Sequence, residues 1–419
     1  MTMVRRRLGQ GDLDLFVVAH LRFVEGKAGG RRLSLKFVDL TGLDLSGRNL
    51  DDADFTGSSL ENTRLKGARL ERAILFGCDL RGADLSDCVL RRADIRGTCL
   101  QGANLENADL TQADFREGVI AIPHATKGLS QVKHETRIGL ADGAKFAGAT
   151  LDGSRFDGIS ACKADFTDCS MRGATLTGAN LKDADLSGAM LEGASVGGAN
   201  LAGARLIGAD LSGVVMESAR LDKTDMTGSL RAPGATALDR AETLMEMALD
   251  ANAWAESGGV LGMPAVFDGE DLRPLAGRLA GLKLPALSAK GACMVGIDLR
   301  GVPMQGANLE NADLRGADLR GTDLRGARLT GALLNKADLG GATLGALPLG
   351  GGRMMPATLV GARLRYARLV GADLEKACLD RVDLSGADLT GANLTGATWV
   401  GALLDHVSGW ADPDRSQAA

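Results

Sequence analysis

The sequence predicts an all-β solenoid, a narrow tube of stacked turns, and three observations predict it. An apolar residue, here called i, recurs at every fifth position, as in "GANLENADLRGADLRGTDLRGARL" from Gly306 to Leu329. A helix repeats at about 3.6 residues and a strand at about 2, so neither has that period and the unit must be a turn. Residue i−2 is also restricted to small types, among them Ala53, Ala68, Cys78 and Cys88 early in the chain and Ala307, Ala317, Thr322 and Ala327 late. Both i and i−2 then point into an interior too narrow for two large side chains. Finally, the 419 residues include 58 glycines and only 3% aromatics, so leucine and small residues do the packing.

The elements follow in order. "LDLFVVAHLRFVEGKAGG" places Leu13, Val17, Leu21 and Val24 on one helix face before Gly29 and Gly30, so residues 1–34 read as a capping helix and turn. Centres then run from Leu35 to Ile120 in 18 pentads, and from Phe146 to Met226 in 17, with Ala161 the one weak centre. These runs make a first solenoid over 35–230. Between them, residues 121–145 shift the phase by one and are expected to bulge out as a loop. That loop holds His124, Lys127, Lys133, His134 and Arg137, a candidate partner-contact site, because loops on rigid scaffolds carry recognition.

Residues 231–266 change character. Thr236 can cap a helix whose stripe is Leu244, Met247, Ala248, Ala251 and Trp254, ended by Gly258 and Gly259. This second helix either caps a lumen or docks a partner through Leu244, Met247, Ala251 and Trp254. Asp239, Glu242, Glu246 and Asp250 make it acidic and unsuited to a membrane surface. A second solenoid is expected over 267–408, with 23 pentads from Met294 to Leu404. Inside it, "GALPLGGGRMMPATL" keeps the phase through Leu349 and Met354 and reads as a strained corner of the coil. The end carries Trp399, Leu403, Leu404, Val407 and Trp410, the last of them within an otherwise polar tail over 409–419. Either Trp410 plugs the last coil, or this apolar end pairs with a second copy as a homodimer.

The runs resemble the pentapeptide-repeat family, whose motif A(D/N)LXX is matched by "ANLENADLRGADLRG". The resemblance implies a right-handed quadrilateral β-helix, four pentads to a coil, with i and i−2 filling the lumen. Residues 20 apart would then be neighbours on one face. Glu61 would meet Arg81, Glu71 would meet Arg91, and Phe146 would stack on Phe166, while Arg96 and Arg116 would bring like charges together. The quinolone-resistance proteins of this family resemble a DNA duplex and bind DNA gyrase, so DNA mimicry is an alternative function.

Composition bounds the function. The net charge is −5, and the seven cysteines are odd in number with no C-x-x-C spacing, which fits a reducing compartment rather than a disulfide framework. No apolar run is long enough to cross a bilayer and no secretory segment is evident, so a cytoplasmic bacterial protein without a membrane partner is expected. No catalytic, cofactor-binding or metal-binding constellation stands out, so the chain is expected not to be an enzyme. The first two runs together carry 26 Asp and Glu against 18 Lys and Arg, a net of −8. Duplex DNA over about 40 Å carries more than roughly 20 negative charges, so mimicry fits poorly and a nucleic-acid partner is not expected. The favoured expectation is a non-catalytic scaffold or protein–protein interaction module whose protein partner the sequence does not identify.

Overall fold

The computed structural model describes residues 5–124 and 128–410, with the side chains of 122–124 and 128–132 left out of account. The chain divides into two compact units, Met1–Ala232 and Pro233–Ala419. Each is a β-helix of pentads with its own apolar core.

The pentad geometry follows from one turn. The N–H of residue i+3 donates to the carbonyl of i, as from Ala53 to Leu50 at 3.0 Å. Residue i+2 has positive φ, whether it is Gly57 at 69° or Asn62 at 54°. That requirement accounts for the abundance of Gly at this position. Residue i−1 then forms a parallel bridge to the residue 20 further on, as Asp44 does to Arg64 and Asp298 to Asp318. Four pentads therefore separate stacked neighbours. Centres and i−2 residues are buried along both stacks.

In the first unit, β1 (Arg6–Arg7) pairs in parallel with β2 (Val38–Asp39), covering one free edge of the first coil. The adjoining edge is covered by a side chain that imitates a peptide. The Gln10 carboxamide donates to the Asp44 carbonyl and accepts from the Asp44 N–H, both at 2.9 Å. Such pairing removes a template for edge-to-edge association. Helix α1 (Gln10–Val24) buries Leu13, Val17 and His20. The expected face was Leu13, Val17, Leu21 and Val24. Leu21 is instead exposed and His20 is fully buried, because its Nδ1 accepts the Leu33 N–H at 3.0 Å.

Two insertions differ from the sequence expectation. Cys99 bridges Leu140 rather than residue 119, so 21 residues (140 less 119) are added between Glu117 and Gly139. They form an antiparallel hairpin of β3 (Gly118–His124) and β4 (Gly128–Arg137). Ile120 is therefore not a lumen centre. It is buried outside the coil, against Gly77 and Gly57. The stack resumes at Ala141 rather than at Phe146, and the small Ala141 and Ala161 share their lumen region with Phe115, Phe146, Phe156 and Phe166. Phe115 stacks on Phe156 at 4.2 Å and Phe146 on Phe166 at 4.8 Å. The aromatic rings occupy the volume that alanine leaves.

In the second unit, helix α2 (Ala235–Glu256) starts from Gly234 with no side-chain cap, so Thr236 lies inside the helix rather than before it. The Asn252 carboxamide oxygen accepts the Lys283 N–H at 2.9 Å. Stacking begins at Phe267 and Leu272, both buried. Arg328 bridges Thr358 rather than residue 348, an addition of ten residues (358 less 348). These form the hairpin β5 (Leu347–Gly350) and β6 (Arg353–Met355). Leu349 and Met354 are thus not lumen centres, and the corner expected there is a hairpin turn with Gly350, Gly351 and Gly352 all at positive φ. Ten residues are two pentads, so the insertion leaves no phase shift.

Candidate functional site

The walls of both stacks are lined by charged side chains held in fixed pairs. In the triplet Asp-Leu-Arg, Asp occupies i−1 and Arg i+1 of one pentad, on either side of a buried centre. The carboxylate accepts the backbone N–H of residue i+1 and both a guanidinium Nε and Nη2, as Asp318 does from Arg320. Asp79–Arg81, Asp94–Arg96, Asp114–Arg116, Asp298–Arg300, Asp313–Arg315 and Asp323–Arg325 repeat the arrangement. The Arg300 guanidinium holds the Asp298 carboxyl below its usual range, and Arg320 does the same for Asp318.

These pairs join into ladders. Up one face of the second unit, Asp298, Arg300, Asp318, Arg320, Asp338 and Arg368 alternate in sign, with successive contacts of 2.7, 3.4, 2.6, 3.7 and 3.2 Å. In the first unit Glu61 meets Arg81 at 3.3 Å, as the 20-residue stacking predicts. Arg91 does not meet Glu71. It pairs with Asp109 in the next coil, while Glu71 pairs with Arg72 and Arg69. Arg96 and Arg116 each hold their own aspartate, Asp94 and Asp114. Many wall carboxylates of the first run and of the second unit are therefore matched by a guanidinium, whereas over 146–226 Asp152, Asp157, Asp165 and Asp210 accept from serine or threonine hydroxyls and backbone N–H groups instead.

The candidate loop is the hairpin β3–β4. Its base is fixed to the stack: Gly118 lies against Phe76, whose other neighbour is Arg96 with its guanidinium 5.3 Å from the ring centroid. Arg137 donates to the Gly77 carbonyl at 2.9 Å and to Glu135 at 3.3 Å. Arg137 is therefore an anchor and not an open contact. Lys133 and His134 are exposed, and Lys133 lies 3.9 Å from Glu135. The His124 side chain and the whole of Lys127 lie outside the described residues.

The α2 stripe faces its own unit. Leu244 and Ala251 are buried in that core, and Met247 and Trp254 are half-buried. At the C-terminal end, Trp399, Leu404, Val407 and Trp410 pack partly against the same core, with Trp399 and Trp410 edge to face at 5.6 Å. Leu403 sits at an i−1 position and is exposed.

Chemistry is sparse. Burial pushes the Cys78 and Cys88 thiols up to about 12, and each donates to a lumen carbonyl, of Phe55 and Leu65 respectively. Such thiols are poor nucleophiles. Among the described residues, no group of three or more His, Cys, Asp or Glu is arranged to hold a metal ion.

The family profile described as Pentapeptide repeats matches in eight copies, at residues 34–72, 73–112, 142–178, 163–198, 197–230, 292–331, 312–345 and 357–396. No curated protein matches the chain. The solved structure of HetL, a pentapeptide repeat protein involved in heterocyst differentiation regulation in the cyanobacterium Nostoc sp. strain PCC 7120, is 22% identical over 91% of this chain and 93% of that one, with a TM-score of 0.21. QnrB1, a plasmid-mediated fluoroquinolone resistance protein, is 15% identical over 51% of this chain and 95% of that one, with a TM-score of 0.26. Rfr23 from the cyanobacterium Cyanothece 51142 is 27% identical over 31% of this chain and 84% of that one, with a TM-score of 0.17.

Proposed function

The chain belongs to the pentapeptide-repeat family, and from that premise we propose that it is a non-catalytic scaffold, a pair of right-handed four-sided β-helices that present projecting hairpins to a protein partner. Helices α1 and α2 serve as the starting caps of the two stacks. The observation that carries this reading is the contrast between walls and projections. Many wall carboxylates are held by guanidinium groups, which weakens the field those walls present to a distant partner. Hairpin β3–β4 interrupts the wall, is anchored against Gly57, Gly77 and Gly97 by Ile120 and Arg137, and offers Lys133 and His134 to solvent. A rigidly based projection loses little conformational entropy when it binds.

DNA mimicry is the alternative, suggested by resemblance to the quinolone-resistance members. The net of −8 over the first two runs counts against it, because a duplex mimic needs more than roughly 20 net negative charges over about 40 Å. Seven free cysteines suit a reducing cytoplasm, the compartment proposed here. A supercoiling assay separates the two functions: gyrase is titrated with the full chain. No change in supercoiling at large excess is the outcome the scaffold reading requires, and stoichiometric inhibition or protection would replace it with mimicry.

A further inference from the structure

We propose that helix α1 seats the chain on an anionic lipid surface. No helix of the described residues is long and apolar enough to cross a membrane, so the mode inferred is peripheral. The inward face of α1 uses only Leu13, Val17 and His20. Its remaining surface carries large apolar side chains, Leu15 at 72% exposed with Phe16, Val18, Leu21 and Phe23, alongside exposed Asp12 and Arg22. Single exposed leucines need no explanation, but five large apolar side chains on one 15-residue helix form a patch of the kind that marks an interaction surface.

Charge identifies what covers it. Residues 1–32 contain seven Lys and Arg against three Asp and Glu, a net of +4 in a chain whose total is −5. Two of the three acids are already matched, Asp14 by Arg48 at 3.3 Å and Glu25 by Lys27 at 2.7 Å. By contrast, among the described residues no ion pair is formed by Arg6, Arg22 or Arg31, while Arg7 lies in register with Asp39 and stabilises its carboxylate. These cations lie on or next to the helix. Arg6 and Arg7 lie just before the first turn of α1, Arg22 is on its exposed side, and the Arg31 N–H donates to the Ala19 carbonyl at 3.0 Å, which fixes Arg31 beside the middle of the helix. Exposed Leu, Phe and Val with arginines on and beside the same helix suit acyl chains below anionic headgroups. Helix α2 lacks the pattern: its exposed Leu238 and Leu249 stand among Asp239, Glu242, Glu246 and Asp250.

The test is co-sedimentation of the full chain with vesicles of phosphatidylcholine alone or mixed with phosphatidylglycerol. The chain is expected to pellet with the anionic vesicles only. Leu15→Asp with Phe16→Asp should weaken binding by at least about tenfold, since it removes the apolar contact. Arg22→Glu with Arg31→Glu should weaken it by about fivefold or more per site, the equivalent of about 1 kcal/mol for each cation near the surface. Both pairs are outside the core, and an unchanged melting temperature certifies the fold. A chain that stays in the supernatant with anionic vesicles overturns the inference, as does a patch variant that still pellets. If light scattering instead shows an oligomer that the patch variant disperses, the surface belongs to a second copy and the lipid assignment is wrong.

Discussion

Excision of residues 118–138 removes hairpin β3–β4 and joins Glu117 to Gly139, and the bridge register requires the stack to close across the cut. Gly139 then takes the i−2 place of Gly118, Leu140 that of residue 119, and Ala141 the lumen position after Phe115. The excision exposes the surface covered by Ile120, worth about 2 kcal/mol. It also removes the Arg137 bond to the Gly77 carbonyl, worth about 2 kcal/mol for a charged donor. Shortening the connection returns roughly 2 kcal/mol of loop-closure entropy. The net loss is about 2 kcal/mol, or a fall of about 6 °C in the melting temperature of a unit of this size. Removing Gly139 as well leaves the corner one residue short. There is no slack to absorb that, since a Cβ built on Gly139 would already lie 2.5 Å from the Phe115 carbonyl oxygen. That second excision should unfold the first unit or lower its melting temperature by more than about 15 °C, since one residue of slip turns lumen side chains outward. The transition of the first unit is read by far-ultraviolet circular dichroism. All three tryptophans lie in Pro233–Ala419, so their fluorescence is an internal control that neither excision should move. Equal melting temperatures for the two excisions, or an unfolded 21-residue excision, would refute the register reasoning.

Other outcomes follow from particular residues. Leu324→Ala, at a fully buried centre, should cost about 2–5 kcal/mol by urea denaturation, whereas Thr330→Ala on the exposed wall should change stability by less than about 0.5 kcal/mol. Gly326→Val places a side chain at φ 67° with its Cβ 2.8 Å from both Leu347 and Met355, so it should destabilise the second unit and quicken proteolysis of hairpin β5–β6. Burial lowers the His20 pKa below the usual histidine value of 6.5, and a proton on Nδ1 would remove the acceptor for the Leu33 N–H. The unfolded chain therefore binds the proton more readily, so stability is retained above about pH 6.5 and lost as pH falls below it. His20→Gln should flatten that part of the pH–melting curve. Native Cys78, Cys88 and Cys169 should resist iodoacetamide and react only after denaturation, as mass spectrometry of the peptides would show.

The five-residue period was legible because one turn repeats with one interior, and almost every lumen residue could be assigned from i and i−2. What the period hid was any insertion that respects it. Ten residues between Leu347 and Thr358 are two pentads, so Leu349 and Met354 kept the beat while standing outside the lumen. Conversely, Ala141 broke the visible pattern because alanine is a weak mark of a centre, and its partners Phe146 and Phe156 supply the missing volume across the lumen. The charge ladders were half legible. Pairs 20 apart follow from the coil, and Glu61–Arg81 forms, but the stronger signal was the Asp-Leu-Arg triplet itself, in which one side chain on each side of a buried leucine can meet around it. Arg91 went elsewhere because Asp109, on the adjoining coil, was also within its reach. The burial of His20 in place of Leu21 depended on a backbone donor 13 residues away, which helix periodicity does not encode.

The proposal that the hairpin, and not the wall, receives a protein partner is tested most directly by a photo-crosslinking amino acid placed at position 134 or, as control, at position 330. His134 is exposed on β4 and Thr330 is exposed on a stack wall. Irradiation in the native host is expected to give one discrete protein adduct from position 134 and none from position 330. No adduct from position 134, or the same set of adducts from both positions, would contradict the account.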